Sequence, residues 1–362
     1  MELTSVAAGR ADGRLATEVC TDDAAWDAFV DANDGPAYAL SGWREAVDAY
    51  GHDRWQLVAR DTERDELVAA LPLYHVESRL FGSKLLSPAF AERGAVVVGE
   101  GAAEQAVELL LDQTIQLADR LDVDSVSLRG AQVAGTDEFV EKNRYVTFQI
   151  DTAAGADAVW DGIKDSRQRQ VEQAGDDDSL RFSTGSSLDD LREYYGLYLE
   201  SMRGHGSPPH SFEFFERLWE SLYPNGQLRL STVHRDGSLI NGMIDLAVGD
   251  TVYQWGVVSD YEYRDLNGGS FLLWKSLDWA AQQGYDTYEF GRTREGSGVY
   301  MFKKSFGGSK TWYDDLHYFP GGSETLQDPE DDKYDRAKDI WKRLPLPVTR
   351  LVGPQVRKRI GL

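Results

Sequence analysis

The two halves of this 362-residue chain run through the same order of elements. That repeat constrains the fold more than any other feature. In the first half, WQLVARDTERDELVAALPLYHV (55–76) holds two apolar runs around a charged turn, residues 101–121 have helical periodicity, and DSVSLRG (124–130) reads as a short strand. In the second half, LRLSTVHRDGSLINGMIDLAV (228–248) holds two runs around Arg235-Asp236-Gly237 and TVYQWGVVS (251–259) adds a strand. Residues 269–283 then read as a helix and TYEFGRT (287–293) as a strand. Helix and strand superpose without a gap at an offset of 162. Leu110, Leu111, Ile115, Ala118, Asp124 and Leu128 fall on Leu272, Leu273, Leu277, Ala280, Asp286 and Phe290. Any two amphipathic helices can be slid into phase, so it is the matching hairpins that favour duplication.

The expectation is an α/β (α+β) chain of two units, each with a mixed, largely antiparallel sheet. Short helices at 22–32 and 40–50 precede the first hairpin, and YVTFQID (145–151) closes the first half as a strand. Small residues in TAAGADA (152–158) and the Pro/Gly/Asp-rich stretch FPGGSETLQDPEDD (319–332) mark boundaries. The expected division is 1–152, 153–320 and a tail, 321–362.

Composition excludes several classes. With 41% hydrophobic and 27% charged residues the chain can build sizeable cores. One cysteine, Cys20, forms no internal disulfide. No run approaches the roughly 18–20 apolar residues that span a bilayer, and MELTSVAAGRADGR lacks a signal-peptide core. A soluble, cytoplasmic protein is expected, with peripheral contact at the inner face of the membrane as an addition. The net charge is −23, and only 11 of 38 basic residues are Lys. Dispersed acids and few lysines suit solubility in concentrated salt, where self-repulsion is screened. The tail departs from this: residues 333–362 carry nine basic and two acidic residues, +7 against −30 for the remainder. Such asymmetry marks an interaction segment, for the chain's own acidic surface, anionic lipid or RNA. Pro345, Pro347 and Pro354 are expected to break it into short helical turns.

GxSxG, Walker-type and HExxH motifs and zinc spacings are all missing, and the six histidines are dispersed, so no metal site is expected. Four segments carry candidate chemistry. In YRDLNGGS (263–270) a turn of two glycines opens a helix, bringing backbone N–H groups and a positive dipole end toward an anion; a plain turn with Ser270 as N-cap is the bland reading. In FGRTREGSGVYMFKKSFGG (290–308), Arg292, Arg294, Lys303 and Lys304 alternate with Tyr300, Phe302 and Phe306 around one acid, Glu295. A flexible Gly-rich loop of this kind suits an anionic, partly apolar substrate. KDSRQRQVEQA (164–174) offers Arg167 and Arg169, and SMRGHGSPPH (201–210) places Arg203, His205 and Ser207 in a Gly/Pro loop that either lines a cleft or merely connects.

Taken in order, KxSRxRQVxxA, LYxxSMRxxGSPPH, YRxLNGGSxLLWxSLxWAxxxGY and FGRTxxGSGVYxFKKxFG resemble the Fem-type branch of the GNAT acyltransferases. ALSGWREAVDAYGHDRWQLVAR (39–60) and LPLYHVESRLFGSKLLSPAFAERGAVVV (71–98) resemble that branch's N-terminal unit, so the likeness covers about residues 20–320. It implies a tandem GNAT fold and an enzyme that moves an activated acyl or aminoacyl group onto an amine or hydroxyl of an envelope, polysaccharide or peptide acceptor. Acyl-CoA or aminoacyl-tRNA is the implied donor. Arg264, Asn267 and Gly269 stand where the GNAT signature cradles pyrophosphate, with Asn267 replacing a glycine, and Gly268 and Ser270 complete the donor set. The resemblance gives Phe302-Lys303 a part in the transfer step. Lys303 or backbone N–H groups are candidate oxyanion donors, and His205 or a substrate group is the candidate proton acceptor. Arg167, Arg169, Arg203, Arg292, Tyr300 and Lys304 make up the acceptor side. A GNAT-like protein that binds an anionic ligand without chemistry is the alternative.

Overall fold

The computed structural model describes residues 10–361 except 12–13, 80, 95, 103, 132, 135 and 323–334. Most of the expected linker, and Lys333, lie outside the described residues. The chain divides into two compact units: 1–144 with 312–326 and 358–362, and 145–311 with 327–357.

In the first unit the sheet runs Leu15–Val19, Asp53–Asp61, Glu66–Ser78, Gly82–Ser87, Ser125–Leu128, Asp315–Tyr318, Val140–Lys142, with Arg10–Ala11 at its edge. Neighbours are antiparallel except Gly82–Ser87 and Ser125–Leu128, which pair in parallel with Lys84 opposite Ser125. A parallel pair needs a crossover. The helix Glu104–Leu121 supplies it, burying Leu110, Leu111, Leu117 and Ala118 against Leu57, Leu71, Leu73 and Leu85 of the sheet.

The second unit has the same plan. Its sheet runs Leu180–Gly185, Leu228–Arg235, Ser238–Val248, Thr251–Ser259, Thr287–Glu289, Val146–Asp151, Ser309–Trp312. Again one pair is parallel, Thr251 opposite Thr287, and the helix Gly268–Gln283 makes the crossover. Leu272, Leu273, Leu277 and Ala280 of that helix pack into the core with Val233, Met243, Tyr288 and Phe290. Buried Asp245 accepts from Ser276 Oγ on the helix (2.6 Å) and from Tyr288 Oη (2.8 Å), which pins helix to sheet from within. Burial raises its pKa against the lowering effect of those bonds and of Arg229.

The domain boundaries differ from the expected ones because the closing strands are exchanged. Val146–Asp151, which follows the first half, pairs with Thr287–Glu289 in the second unit. Asp315–Tyr318, which follows the second half, pairs with Ser125–Leu128 in the first. The alternating side chains Val146, Phe148 and Ile150 enter the second core. Period-2 alternation tells a strand which face to bury, not which sheet to join.

The tail is not a separate appendage either. Its described residues form two helices, Asp335–Lys342 and Leu346–Ile360, and the second keeps Pro354 inside it where a break was expected. Residues 335–357 belong to the second unit and 358–361 to the first, where the Gly361 carbonyl accepts from Arg129 Nη2 at 2.9 Å. Deleting 333–362 therefore removes packed structure.

The exchange makes a testable statement. Phe148→Ala should cost about 3–5 kcal/mol, the range for deleting a buried phenyl ring. In hydrogen exchange the lost protection should appear at Thr287–Glu289, with Ser125–Leu128 unaffected.

Candidate active site

The parallel pairing in the second unit is short. Thr251, Val252 and Tyr253 face Thr287, Tyr288 and Glu289, and there it stops. Beyond Tyr253 the first strand continues to Ser259 paired with Ser238–Val248, while Phe290 and Thr293 bond to Phe148 and Val146. The two strands therefore part at their C-terminal ends. On the diverging strand the register slips, because Gly242 faces Val258 and Ile244 faces Trp255, leaving one residue extra. This bulge includes Gly256 at φ +62°, a conformation glycine adopts without strain, and exposed Val257. Tyr194 Oη, from the helix Leu188–His205, donates to the Gly256 carbonyl and braces the bulge.

From Ser259 the chain passes through a 3₁₀ turn, Tyr261–Leu266, whose first turn is capped by Asp260 Oδ1 accepting from Glu262 N at 2.9 Å. Asn267 at φ +59° then turns it into the helix Gly268–Gln283. No side chain caps that helix; the Asn267 carbonyl accepts from the amides of Ser270 and Phe271 at 3.0 and 3.1 Å. At this helix start Gly268 is buried and Gly269 half-buried. The two glycines differ in what they do. A Cβ on Gly268 would overlap Asn241 Oδ1, whereas one on Gly269 would find its nearest neighbour, Asn241 Nδ2, at 3.6 Å. Gly268 is required by packing and Gly269 is not. Ser270 is no N-cap: it is buried, and its Oγ accepts from Arg167 Nη1 at 2.8 Å. Arg264 is exposed, 3.7 Å from Asp265.

Arg167 joins three of the four segments. From the helix Asp165–Gly175 its guanidinium lies over the rings of Phe302 (4.5 Å) and Phe306 (5.5 Å), and Nε donates to Ser305 Oγ at 2.9 Å. With Ser270 as a further acceptor, it ties the Gly-rich helix start to the 302–306 element. These contacts occupy the guanidinium that is expected on the acceptor side. Arg169 is exposed, and among the described residues neither it nor Arg203 makes a side-chain hydrogen bond or ion pair.

The 290–308 segment is not a flexible loop. Ser297 Oγ accepts from Tyr300 N at 3.1 Å and starts a short helix, Gly298–Lys304. Tyr300 is buried against Phe148, with ring centroids 5.2 Å apart, and its Oη donates to Glu295 Oε1 at 3.5 Å. Arg292 and Arg294 lie over the Tyr145 ring at 4.7 and 5.4 Å, and Glu295 pairs with Lys310 at 2.7 Å. Lys304 stays exposed.

Lys303 corrects the expectation most. It is 9% exposed, and Nζ donates to the carbonyls of Phe290, Gly291 and Arg292 at 2.6, 2.9 and 3.3 Å. An ammonium has three N–H bonds, and three carbonyls lie within reach of them. It is therefore not a surface lysine, and it holds the backbone that leaves the parted strand. An oxyanion donor is better sought among backbone amides.

His205 ends its helix exposed. Its Nδ1–H donates to the Ser201 carbonyl at 2.8 Å, which leaves Nε2 to accept from Tyr261 Oη at 3.2 Å. Tyr261, 60% exposed, opens the turn that leads to Asn267. Sequence reasoning missed Tyr261; its place just before the glycine turn is the signal that would have found it. Tyr194 and Gly256 left none, since bulge and brace meet across 62 residues.

The SPPH loop is docked by tyrosines: Tyr195 Oη donates to the His210 carbonyl (2.9 Å) and the His210 amide donates to Tyr198 Oη (3.0 Å). The buried His210 ring stacks on Phe214, and burial first, then Arg357, pushes its pKa well down.

Residues 164–304 match the family model of the acetyltransferase (GNAT) domain. No curated protein sequence matches the chain. Among solved structures the chain is similar to FemX (16% identity, 83% of this chain and 96% of that one, TM-score 0.67). It is also similar to a tandem GNAT protein from the clavulanic acid biosynthesis pathway (12%, 86% and 100%, 0.54). A third is the C-terminal domain of a putative lysylphosphatidylglycerol synthetase from Agrobacterium fabrum (13%, 83% and 91%, 0.54). The fold is that of a tandem GNAT protein, in agreement with the Fem-type resemblance.

Two outcomes follow. Lys303→Ala leaves three buried carbonyls short of a donor and should cost about 1–3 kcal/mol in urea unfolding, while Lys304→Ala stays within about 0.5 kcal/mol. His210 is neutral when folded and takes a proton near pH 6.5 when unfolded. Its folded pKa is depressed, so the stability it contributes is lost as pH falls below about 6.5. Urea midpoints between pH 7 and 5 should fall less steeply in His210→Gln.

Proposed function

We propose that the second unit transfers an activated acyl or aminoacyl group to the amine or hydroxyl of an envelope, polysaccharide or peptide acceptor. The observation that carries this reading is the parting of two parallel strands beside an uncapped helix N-terminus at Gly268-Gly269. There the helix amides face a donor's phosphate, and the opened strand edge at Gly256-Val257 lies along the donor's arm. The match of residues 164–304 to the GNAT domain supports it. Acyl-CoA is the first donor to test and aminoacyl-tRNA the second.

In the proposed step the acceptor nitrogen or oxygen attacks the donor carbonyl. A C–N or C–O bond forms, and the C–S bond of a thioester or the C–O bond of an aminoacyl ester breaks. The negative charge passes through the tetrahedral oxygen, held by backbone amides, to the leaving sulfur or oxygen. The acceptor's proton goes to Tyr261 Oη as that hydroxyl hands its own to His205 Nε2, and the imidazolium returns a proton to the leaving group. Arg167 and Lys303 keep the helix start and the strand exit in register, as positioning requires.

Gly269→Val has room to fold and places a branched side chain on the uncapped helix end. It should weaken the acyl-CoA-dependent rise in melting temperature at least about tenfold in concentration. Tyr261→Phe and His205→Gln should bind donor normally and lose about 10²–10⁴ in turnover, read by mass spectrometry of products. Donor-dependent stabilisation without any product would favour the non-catalytic binding protein. No response to acyl-CoA or aminoacyl-tRNA would refute the reading.

A further inference from the structure

We infer that the exposed face of the helices Asp335–Lys342 and Leu346–Ile360 docks on an anionic lipid surface. From Ile340 to the end the chain has no Asp or Glu and six basic residues, Lys342, Arg343, Arg350, Arg357, Lys358 and Arg359. Among the described residues nine large hydrophobic side chains are exposed, and four of them fall within thirteen positions here: Ile340 (64%), Val348 (39%), Leu351 (77%) and Val352 (41%). Val348, Leu351 and Val352 have i, i+3, i+4 spacing and share one face of the helix Leu346–Ile360. Lys342, Arg343 and Arg350 are exposed with them.

The helix is already anchored by another face. Thr349, Gly353 and Pro354 are buried, and a Cβ on Gly353 would overlap Pro209 of the docked loop. The unit thus holds the helix while leaving its aliphatic stripe in solvent. An open groove of about 600 Å³ beside it is lined by Leu346, Pro347, Arg350 and Leu351 of this helix and by Leu199 and Glu200 of the helix Leu188–His205.

Charge and apolar type together select the occupant. The chain's own acidic surface would satisfy the cations but has no use for exposed Leu351. RNA would also take the cations, but stacking on bases needs aromatic rings, and the exposed side chains here are aliphatic. An anionic headgroup layer over an acyl boundary takes both at once: aliphatic side chains enter the boundary and cations meet the headgroups. Elsewhere the strongly negative chain is repelled by such a surface, so the basic face also sets the orientation.

Full-length protein should co-sediment with phosphatidylglycerol vesicles at least about tenfold more tightly than with phosphatidylcholine vesicles. Leu351→Glu/Val352→Glu should lower phosphatidylglycerol binding at least about tenfold with an unchanged melting temperature. Lys342→Gln/Arg343→Gln/Arg350→Gln should do the same by a separate change, which keeps the test decisive should the first variant melt early. Wild type staying in the supernatant, equal binding to both vesicles, or variants that pellet like wild type would overturn the inference. Capture of polyuridine RNA in place of vesicles would overturn it as well. None of these outcomes depends on acyl transfer.

Discussion

Three residues of parallel pairing organise the second unit. Because Thr251–Tyr253 and Thr287–Glu289 run the same way, the chain between them must cross over the sheet, and the crossover is the helix Gly268–Gln283. Because the pairing stops after Glu289, the helix begins beside strands that have already separated. The uncapped helix end, the bulge at Gly256 and the exit at Phe290 thus follow from one local geometry. Asp245, Ser276 and Tyr288 lock that geometry from the buried side.

The cations that look most available in the sequence are spent inside the fold. Lys303 donates to three carbonyls, and Arg167 stacks on two phenylalanines while binding two serines. A guanidinium can do this without losing its charge, because it is planar, weakly hydrated and offers several N–H groups. Tyr261 and His205 stay exposed beside the turn that opens the helix, with Arg264, and polar groups of this kind suit chemistry by positioning.

Each sheet is completed by a strand that follows the other half of the sequence. The exchange means that neither half closes its own sheet, although the repeated hairpin, helix and strand recur in both. Strand pairing is satisfied by main-chain bonds, which carry little sequence identity.

Periodicity and turn chemistry were enough to find the duplicated hairpin, helix and strand, since burial of one face writes its period into local sequence. The phase of Leu110 and Leu111 with Leu272 and Leu273 holds in both cores. The turn before residue 270 was legible too, because left-handed backbone at Asn267 and close approach at Gly268 favour particular residues. Which glycine is needed was not legible, since Asn241 lies on another strand. Nor was the burial of Lys303 and Tyr300, whose neighbours come from the segment 290–292 and from Phe148 on another strand. The sequence by itself determined the elements, their repeat and the residue types gathered near the site. Tertiary structure decided which strands close which sheet and which cations stay exposed. Those outcomes depend on contacts between distant segments, and no local period records them.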